Sequence, residues 1–294
     1  METRARARAG LAAAALVCAV TVTGCVAAAP AEPEVVVVRT PVVADKSAVP
    51  APAPLGAVDL ASLPVVEPRN VVPGLPGTDG LEQRRNDDPA LGTWQTATVV
   101  RDTAGYDAVH GRPVATVPAV TLDVPTVLPV IDQRGGWLRV LVATRSALPS
   151  QDVSQVNGRS VWIRAQDTTP SGTDWRLHLD LAALSLTVDD GTTTSTVPVK
   201  AVGAPGSPTP AVPQFVVGSQ WEQPGTYTPR VLLLSSQSET IDVYDKATGT
   251  SATAIHTSPI ARTGAISNGC VRVSEEVLDL LWGKVPPGTV LTVA

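Results

Sequence analysis

A histidine and a cysteine near the C-terminal end are the residues whose types and spacing could carry out chemistry. His256 precedes Cys270 by 14 residues, and Cys270 stands in the segment Ser-Asn-Gly-Cys-Val-Arg at 267–272. A cysteine becomes a nucleophile near neutral pH when a histidine takes its proton or holds it as an ion pair. Gly269 permits close approach of a substrate and lets consecutive backbone N–H groups point at one spot, as an oxyanion site requires. The pattern indicates nucleophilic catalysis by a thiol.

The composition argues against several other kinds of site. The chain has 294 residues, and 22 lysines and arginines against 27 aspartates and glutamates give a net charge of −5. General nucleic-acid binding needs a basic face, so it is not expected. Three cysteines are too few for a disulfide scaffold or a four-cysteine zinc site, and three histidines leave little room for another metal centre. No metal and no cofactor are therefore expected.

The N-terminus indicates export. Three arginines precede an apolar run at 11–22, which is too short for the roughly 20 residues of a membrane span and is typical of a secretory signal. The run ends in Val-Thr-Gly-Cys at 22–25, which resembles a bacterial lipobox. That resemblance implies that residues 1–24 are a lipoprotein signal peptide and that Cys25 is lipidated and becomes the new N-terminus. The alternative is an ordinary signal peptide with an incidental cysteine.

The three cysteines then have different fates. Cys18 is removed with the signal peptide and Cys25 carries lipid, so Cys270 is the single free thiol of the exported chain. The predicted location is extracytoplasmic, with the protein lipid-anchored to the outer face of the cell membrane and facing the cell wall. A monomer is expected.

Residues 25–90 have the composition of a tether. They are rich in proline, alanine and valine without a sustained period, and proline favours extended geometry. The alternative is that valine-rich pieces such as 35–38 add a strand to a later domain.

Short alternating runs predict a β domain over residues 91–170. Strands are expected at 96–101, 126–131, 137–142 and 160–164, with a hairpin turn at 132–136. The segments 128–130, 135–140 and 161–163 resemble parts of a bacterial SH3-like β-barrel. Such a domain would position or bind the cell wall, or act as a plain spacer.

Residues 175–294 are predicted to form a second β domain. Strands are expected at 176–181, 185–188, 196–199, 231–234 and 289–293. Ser274 is a good helix N-cap, Glu275 and Glu276 suit the helix dipole, and Gly283 can end a short helix. The predicted fold class is therefore mainly β, with a short C-terminal helix.

The second β domain also carries a family resemblance. His256, its interval to the cysteine, and Ser-x-Gly-Cys-Val-Arg at 267–272 resemble the signature of the YkuD-type L,D-transpeptidases. Leu-Asp-Leu at 179–181, Thr209-Pro210 and Pro-Gly-Thr-Val at 287–290 resemble further family elements. The resemblance covers about 120 residues and implies a YkuD-type β-sandwich catalytic domain after the SH3-like barrel.

By this resemblance, Cys270 is the nucleophile and His256 its general base. The carbonyl group of Thr257 would orient the imidazole ring, and the backbone N–H groups of Cys270 and Gly269 would hold the oxyanion. Arg272 would either brace the loop or meet a substrate carboxylate.

Three departures from the family pattern bear on the site. Asn268 stands where many members have a second histidine, so it can orient by hydrogen bonds but cannot titrate. The interval between His256 and Cys270 is near the short end, and Ala211-Val212 stands where a glycine often follows Thr-Pro. Ser267 is expected to contact the substrate together with Arg272.

The reaction that the resemblance implies is acyl transfer on the stem peptides of peptidoglycan. Cys270 would attack the carbonyl of the third residue of a tetrapeptide donor, release D-Ala and form a thioester. A side-chain amine of a neighbouring stem would then resolve the thioester into a 3→3 cross-link. The alternatives are an L,D-carboxypeptidase, with water as acceptor, the attachment of a protein amine to the wall, and a non-catalytic wall-binding lipoprotein.

Overall fold

The structure is a computed structural model that describes residues 57–78, 83–221, 228–246 and 249–294. The predicted signal peptide at 1–24, the predicted lipidation site Cys25 and the valine-rich piece at 35–38 lie outside the described residues. Within the described ranges, no helix is long and apolar enough to span a membrane.

The first β domain is a curled sheet. Among the described residues, seven strands pair in the order β3-β2-β8-β7-β6-β1-β9, and β4 and β5 form a separate small hairpin. The strands are β1 (Trp94–Val99), β2 (Thr103–Tyr106), β3 (Pro113–Val117), β4 (Val120–Thr121), β5 (Val124–Pro125), β6 (Val127–Arg134), β7 (Trp137–Leu141), β8 (Ser160–Arg164) and β9 (Thr168–Thr173).

The predicted strands and turn of this domain are confirmed, with shifts of a few residues at their ends. The β6–β7 turn consists of Gly135 and Gly136, both at positive φ (50° and 84°), which glycine adopts without strain. The edge strands β3 and β9 are not paired with each other in the described part of the chain. The SH3-like assignment is therefore not confirmed and stays a prediction.

The end of the predicted tether packs on this sheet. Val66, Val72 and Leu75 are buried in the same core as the sheet residues. The N–H of Val66 donates to the carbonyl of Thr116 on β3 at 2.8 Å. Within the tether predicted for 25–90, the described residues 57–78 are thus packed, because Val66, Val72 and Leu75 bury apolar surface that offsets the cost of ordering the segment.

The second β domain carries the histidine and the cysteine. Its ten strands, counted over the described residues, pair in the order β12-β11-β10-β19-β14-β15-β16-β18-β13-β17. They are β10 (Arg176–Asp180), β11 (Ser185–Asp189), β12 (Thr194–Pro198), β13 (Ala201–Gly203), β14 (Gln214–Trp221), β15 (Arg230–Gln237), β16 (Ala252–His256), β17 (Gly264–Ser267), β18 (Val271–Arg272) and β19 (Val290–Val293). The predicted mainly β fold class is confirmed.

The short helix α1 (Glu275–Leu281) follows β18 directly. The Ser274 hydroxyl accepts a 3.3 Å hydrogen bond from the N–H of Val277, so the predicted N-cap is confirmed. Val277, Leu278 and Leu281 pack on the sheet core. The helix therefore anchors the chain a few residues after Cys270.

The two β domains share a core. Phe215 and Leu233 of the second domain are buried in the same apolar cluster as Val130 of the first. Asn157 reaches across, because its side chain donates to the carbonyl of Gln237 at 2.9 Å and accepts from the Gln237 N–H at 2.8 Å. The first domain thus braces β15, the strand next to β16.

Candidate active site

Strand pairing brings the histidine and the cysteine to one face of the second domain. β16 and β18 run parallel, with Ile255 opposite Val271 and His256 opposite Arg272. Ile255 and Val271 are fully buried in the core. Cys270 immediately precedes β18, and its thiol receives a hydrogen bond from the backbone of Ala254, two residues before His256. Because side chains alternate along an extended chain, continuing this alternation from β18 puts Cys270 on the face of His256 and Arg272.

A hydrogen bond fixes the tautomer of His256. Its Nδ1 lies 2.6 Å from the carbonyl oxygen of Thr257. A carbonyl oxygen only accepts, so Nδ1 carries the proton and Nε2 presents a lone pair. This is the contact that the resemblance assigns to Thr257.

The environment keeps the imidazole neutral. His256 is buried, and this burial lowers its pKa. The Thr257 carbonyl acts in the opposite direction, while the positive charge of Arg272 lowers the pKa further. A neutral ring with a free Nε2 lone pair is the form that can accept a proton from a thiol.

The thiol of Cys270 is also held in its neutral form. Burial raises its pKa, and this effect outweighs a hydrogen bond from the backbone of Ala254 and the positive charge of Arg272, which both lower it. The directions of both pKa shifts favour a neutral thiol beside a neutral imidazole, so a thiolate would have to form by proton transfer.

The loop before the cysteine is closed by Ser267. The Ser267 hydroxyl donates to the carbonyl of Cys270 at 2.6 Å and accepts from the N–H of Gly269 at 3.2 Å. Gly269 has φ of 108°, a left-handed conformation that favours glycine. The serine is only 2% exposed, so it shapes the loop and is not placed as the substrate contact that was predicted.

The same loop changes the expected oxyanion site. The N–H of Gly269 is used by Ser267, so it is not free to hold an oxyanion in this structure. Among the described residues, the N–H of Cys270 has no hydrogen-bond partner. Of the two predicted backbone donors, only that of Cys270 is available.

Thr209 positions the cysteine loop, a role that sequence reasoning missed. Its buried hydroxyl donates to the carbonyl of Gly269 at 2.9 Å and accepts from the N–H of Gly203 at 2.9 Å. It therefore ties the loop to the end of β13. The Thr-Pro pair was visible as a family element, but its partner 60 residues away was not.

The two remaining predicted residues are placed differently. Arg272 is half-buried opposite His256, and its Nε is buried without a hydrogen-bond partner in the described part of the chain. Asn268 is exposed, and the structure gives its side chain no orienting contact with either His256 or Cys270. Nowhere in the described ranges do three or more His, Cys, Asp or Glu side chains group so as to hold a metal ion.

Comparison with known proteins assigns this domain to a family. Residues 174–293 match the family model of the YkuD L,D-transpeptidase catalytic domain. No curated protein sequence matches the chain significantly. These residues thus form a YkuD-type L,D-transpeptidase catalytic domain, as their cysteine signature predicted.

Solved structures with similarity to the chain bear the same family name. An L,D-transpeptidase from Mycobacterium smegmatis shows 13% identity over 54% of this chain and 90% of that chain, with a TM-score of 0.33. The catalytic domain of the E. faecium L,D-transpeptidase, solved by NMR, shows 18% identity over 42% of this chain and 98% of that chain, with a TM-score of 0.29. L,D-transpeptidase 3 from Mycobacterium tuberculosis with a faropenem-derived adduct shows 13% identity over 53% of this chain and 90% of that chain, with a TM-score of 0.35.

Replacing Thr209 by valine should slow acylation of Cys270. The change keeps the side-chain shape but removes the partner of both the Gly269 carbonyl and the Gly203 N–H, and each such loss costs about 1–3 kcal/mol of stability. The shifted loop should reduce the rate of acylation by a carbapenem by a factor on the order of 10 to 100. Intact-protein mass spectrometry over time measures this rate.

Thr209→Ser is the matched control, because it retains the hydroxyl and should acylate at close to the wild-type rate. A Thr209→Val protein that is folded and acylates as fast as wild type would show that the hydroxyl does not position the loop.

The neutral thiol and imidazole predict the pH dependence of alkylation. The raised pKa keeps Cys270 protonated beyond the ordinary cysteine value of about 8.5. The rate of alkylation by iodoacetamide should therefore rise continuously with pH and still be rising above about pH 8.5. A rate that is high and constant between pH 5 and 8 would instead reveal a thiolate–imidazolium pair.

His256→Gln provides the comparison for this pH profile. In the wild type, acylation by a carbapenem should fall only below about pH 6.5, because the pKa of His256 is lowered from that ordinary value. The variant should acylate slowly at every pH, and its acylation rate should no longer show this fall at acidic pH, the acidic limb of the profile. An unchanged acidic limb in the variant would assign it to another group.

Proposed function

We propose that the chain is an exported L,D-transpeptidase that forms 3→3 cross-links in peptidoglycan through a thioester on Cys270. The observation that carries the proposal is the placement of Cys270 and His256 on one face of paired strands, with Nε2 free to accept a proton. The family assignment supports the class of reaction, and the geometry supports Cys270 as its nucleophile and His256 as its base.

The first half of the reaction uses the neutral pair. Nε2 of His256 takes the thiol proton while Sγ of Cys270 attacks the carbonyl carbon of the third, diamino-acid residue of a tetrapeptide donor. The backbone N–H of Cys270 donates to the oxygen that becomes negative. The tetrahedral intermediate then expels D-Ala, whose amine receives the proton from the imidazolium, and the thioester remains.

The second half reverses the proton movement. The side-chain amine of a neighbouring stem attacks the thioester carbon, and His256 accepts a proton from this amine. The C–S bond then breaks, the thiolate recovers the proton, and the 3→3 amide bond is released. Water in place of the amine gives the carboxypeptidase outcome.

Arg272 is proposed to bind a carboxylate of the donor. Arg272 is paired with His256 in the strand register, and its Nε is buried without a partner in the described residues. A substrate carboxylate would supply that partner and offset part of the cost of the buried charge. The same positive charge favours the thiolate as it forms, because it lowers the pKa of Cys270.

Wild-type protein incubated with a carbapenem should gain the mass of one adduct, located on Cys270. Cys270→Ser should give no stable adduct, and His256→Ala should form it much more slowly. With a tetrapeptide donor and an acceptor amine, mass spectrometry of the products should show loss of D-Ala and a cross-linked dimer.

The product pattern also separates the alternatives. Without the acceptor amine, only tripeptide and free D-Ala are expected; tripeptide as the sole product in both mixtures would identify an L,D-carboxypeptidase. No adduct on wild type, together with no donor turnover, would support the non-catalytic wall-binding lipoprotein. An adduct that persists in Cys270→Ala would remove this residue as the nucleophile.

Membrane anchoring through Cys25 is part of the proposal and places the catalytic domain at the wall. Palmitate labelling of the wild-type protein in cells is expected, and Cys25→Ala should abolish it while the catalytic domain keeps its activity. Equal labelling of both proteins would refute lipidation at this cysteine. Cys18→Ala serves as the control, because that residue is removed with the signal peptide in either case.

A further inference from the structure

A cleft lies between the two β domains, away from the cysteine. Its volume is about 360 Å³, within the range of small-molecule sites of about 300–1,000 Å³. Ile131 and Leu141 line it from the first domain, and Pro213 and Val290 line it from the second. These side chains give the cleft an aliphatic floor.

Two arginines and a tryptophan form the polar side of the cleft. The Cζ atom of Arg176 lies 4.2 Å from the centroid of the Trp94 ring, and that of Arg85 lies 5.6 Å from it. Trp94 starts β1 and Arg176 starts β10, so both domains contribute. Contact with the indole ring restricts both guanidinium groups beside the cleft.

Neither arginine has an acidic partner within the described ranges. The ion pairs found there all involve other arginines. Arg85 and Arg176 are both exposed, so their N–H groups are open to a ligand. Both guanidinium groups lie within 5.6 Å of the same ring centroid, so a bound anion would meet two positive charges and accept hydrogen bonds from their N–H groups.

We infer that this cleft binds the free C-terminal carboxylate of a short peptide. The arginines would hold the carboxylate, and the aliphatic floor would bury a small apolar side chain. Gln83 also lines the cleft; its side-chain N–H donates to the carbonyl of Gln95, and its side-chain oxygen would accept a hydrogen bond from a peptide N–H. A sugar is disfavoured because Arg176 occupies the Trp94 ring, on which a sugar would have to stack.

The cleft is separate from the catalytic site. In the sheet order, β14 and β15 lie between β19, which carries Val290 and Thr292, and β16, which carries His256. With strands about 4.8 Å apart, three steps across the sheet amount to roughly 14 Å. The inference therefore does not depend on acyl transfer at Cys270 and can fail or succeed independently of it.

Calorimetric titration with N-acetyl-Ala-Ala, a dipeptide with a free carboxylate, tests the inference on the full exported chain. The wild type should bind the acid, and the C-terminal amide of the same dipeptide should bind at least about 10-fold more weakly. Arg176→Gln and Arg85→Gln should each weaken binding of the acid by a similar factor. Arg176→Lys should retain only part of the wild-type affinity for the acid, because lysine lacks the planar guanidinium group that binds a carboxylate with two N–H groups.

Arg112→Gln is the matched control, since it removes the same charge from an exposed position of the first domain. It should bind the dipeptide as the wild type does, and all variants should show the thermal unfolding of the wild type. Equal binding of acid and amide, or no effect of either cleft variant, would overturn the inference. Inorganic phosphate or glucuronate binding more tightly than the dipeptide would likewise overturn the peptide assignment.

Discussion

The parallel pairing of β16 with β18 is the constraint on which the candidate site depends. It sets Ile255 against Val271 in the core and leaves His256 and Cys270 on the opposite face. A shift of one residue in this register would send the thiol into the core and separate it from the imidazole. The packing of Ile255 and Val271 in the apolar core thus holds the candidate catalytic side chains on one face.

Burial then sets the chemical state of the pair. The same low-polarity surroundings raise the pKa of Cys270 and lower that of His256, so both groups rest uncharged. Arg272 moderates the cost of making a thiolate, because its charge favours the anion. The hydroxyl groups of Thr209 and Ser267 donate hydrogen bonds to the carbonyl groups of Gly269 and Cys270, respectively. These bonds hold the backbone of Cys270 in place.

Many strands and turns could be predicted from short sequence patterns, because strand alternation and turn conformation depend on residues that are neighbours in the chain. Alternating residues predicted β8 at its observed bounds, and Gly135-Gly136 predicted a tight turn because two positive φ values are needed there. The packing of 57–78 was not predictable in the same way. A proline-rich segment with scattered valines resembles a tether until a neighbouring sheet is present to cover Val72.

The sequence by itself determined the candidates for nucleophile and base, since one histidine–cysteine pair stands in the family signature and Thr257, whose carbonyl accepts from the histidine, follows it directly. Only the tertiary structure decided that Ser267 faces inward and that Thr209 holds the loop. It also decided that the N–H of Gly269 is already bonded. Hydrogen bonds that join residues far apart in the chain depend on strand register and burial, and neither of these can be predicted from a local motif.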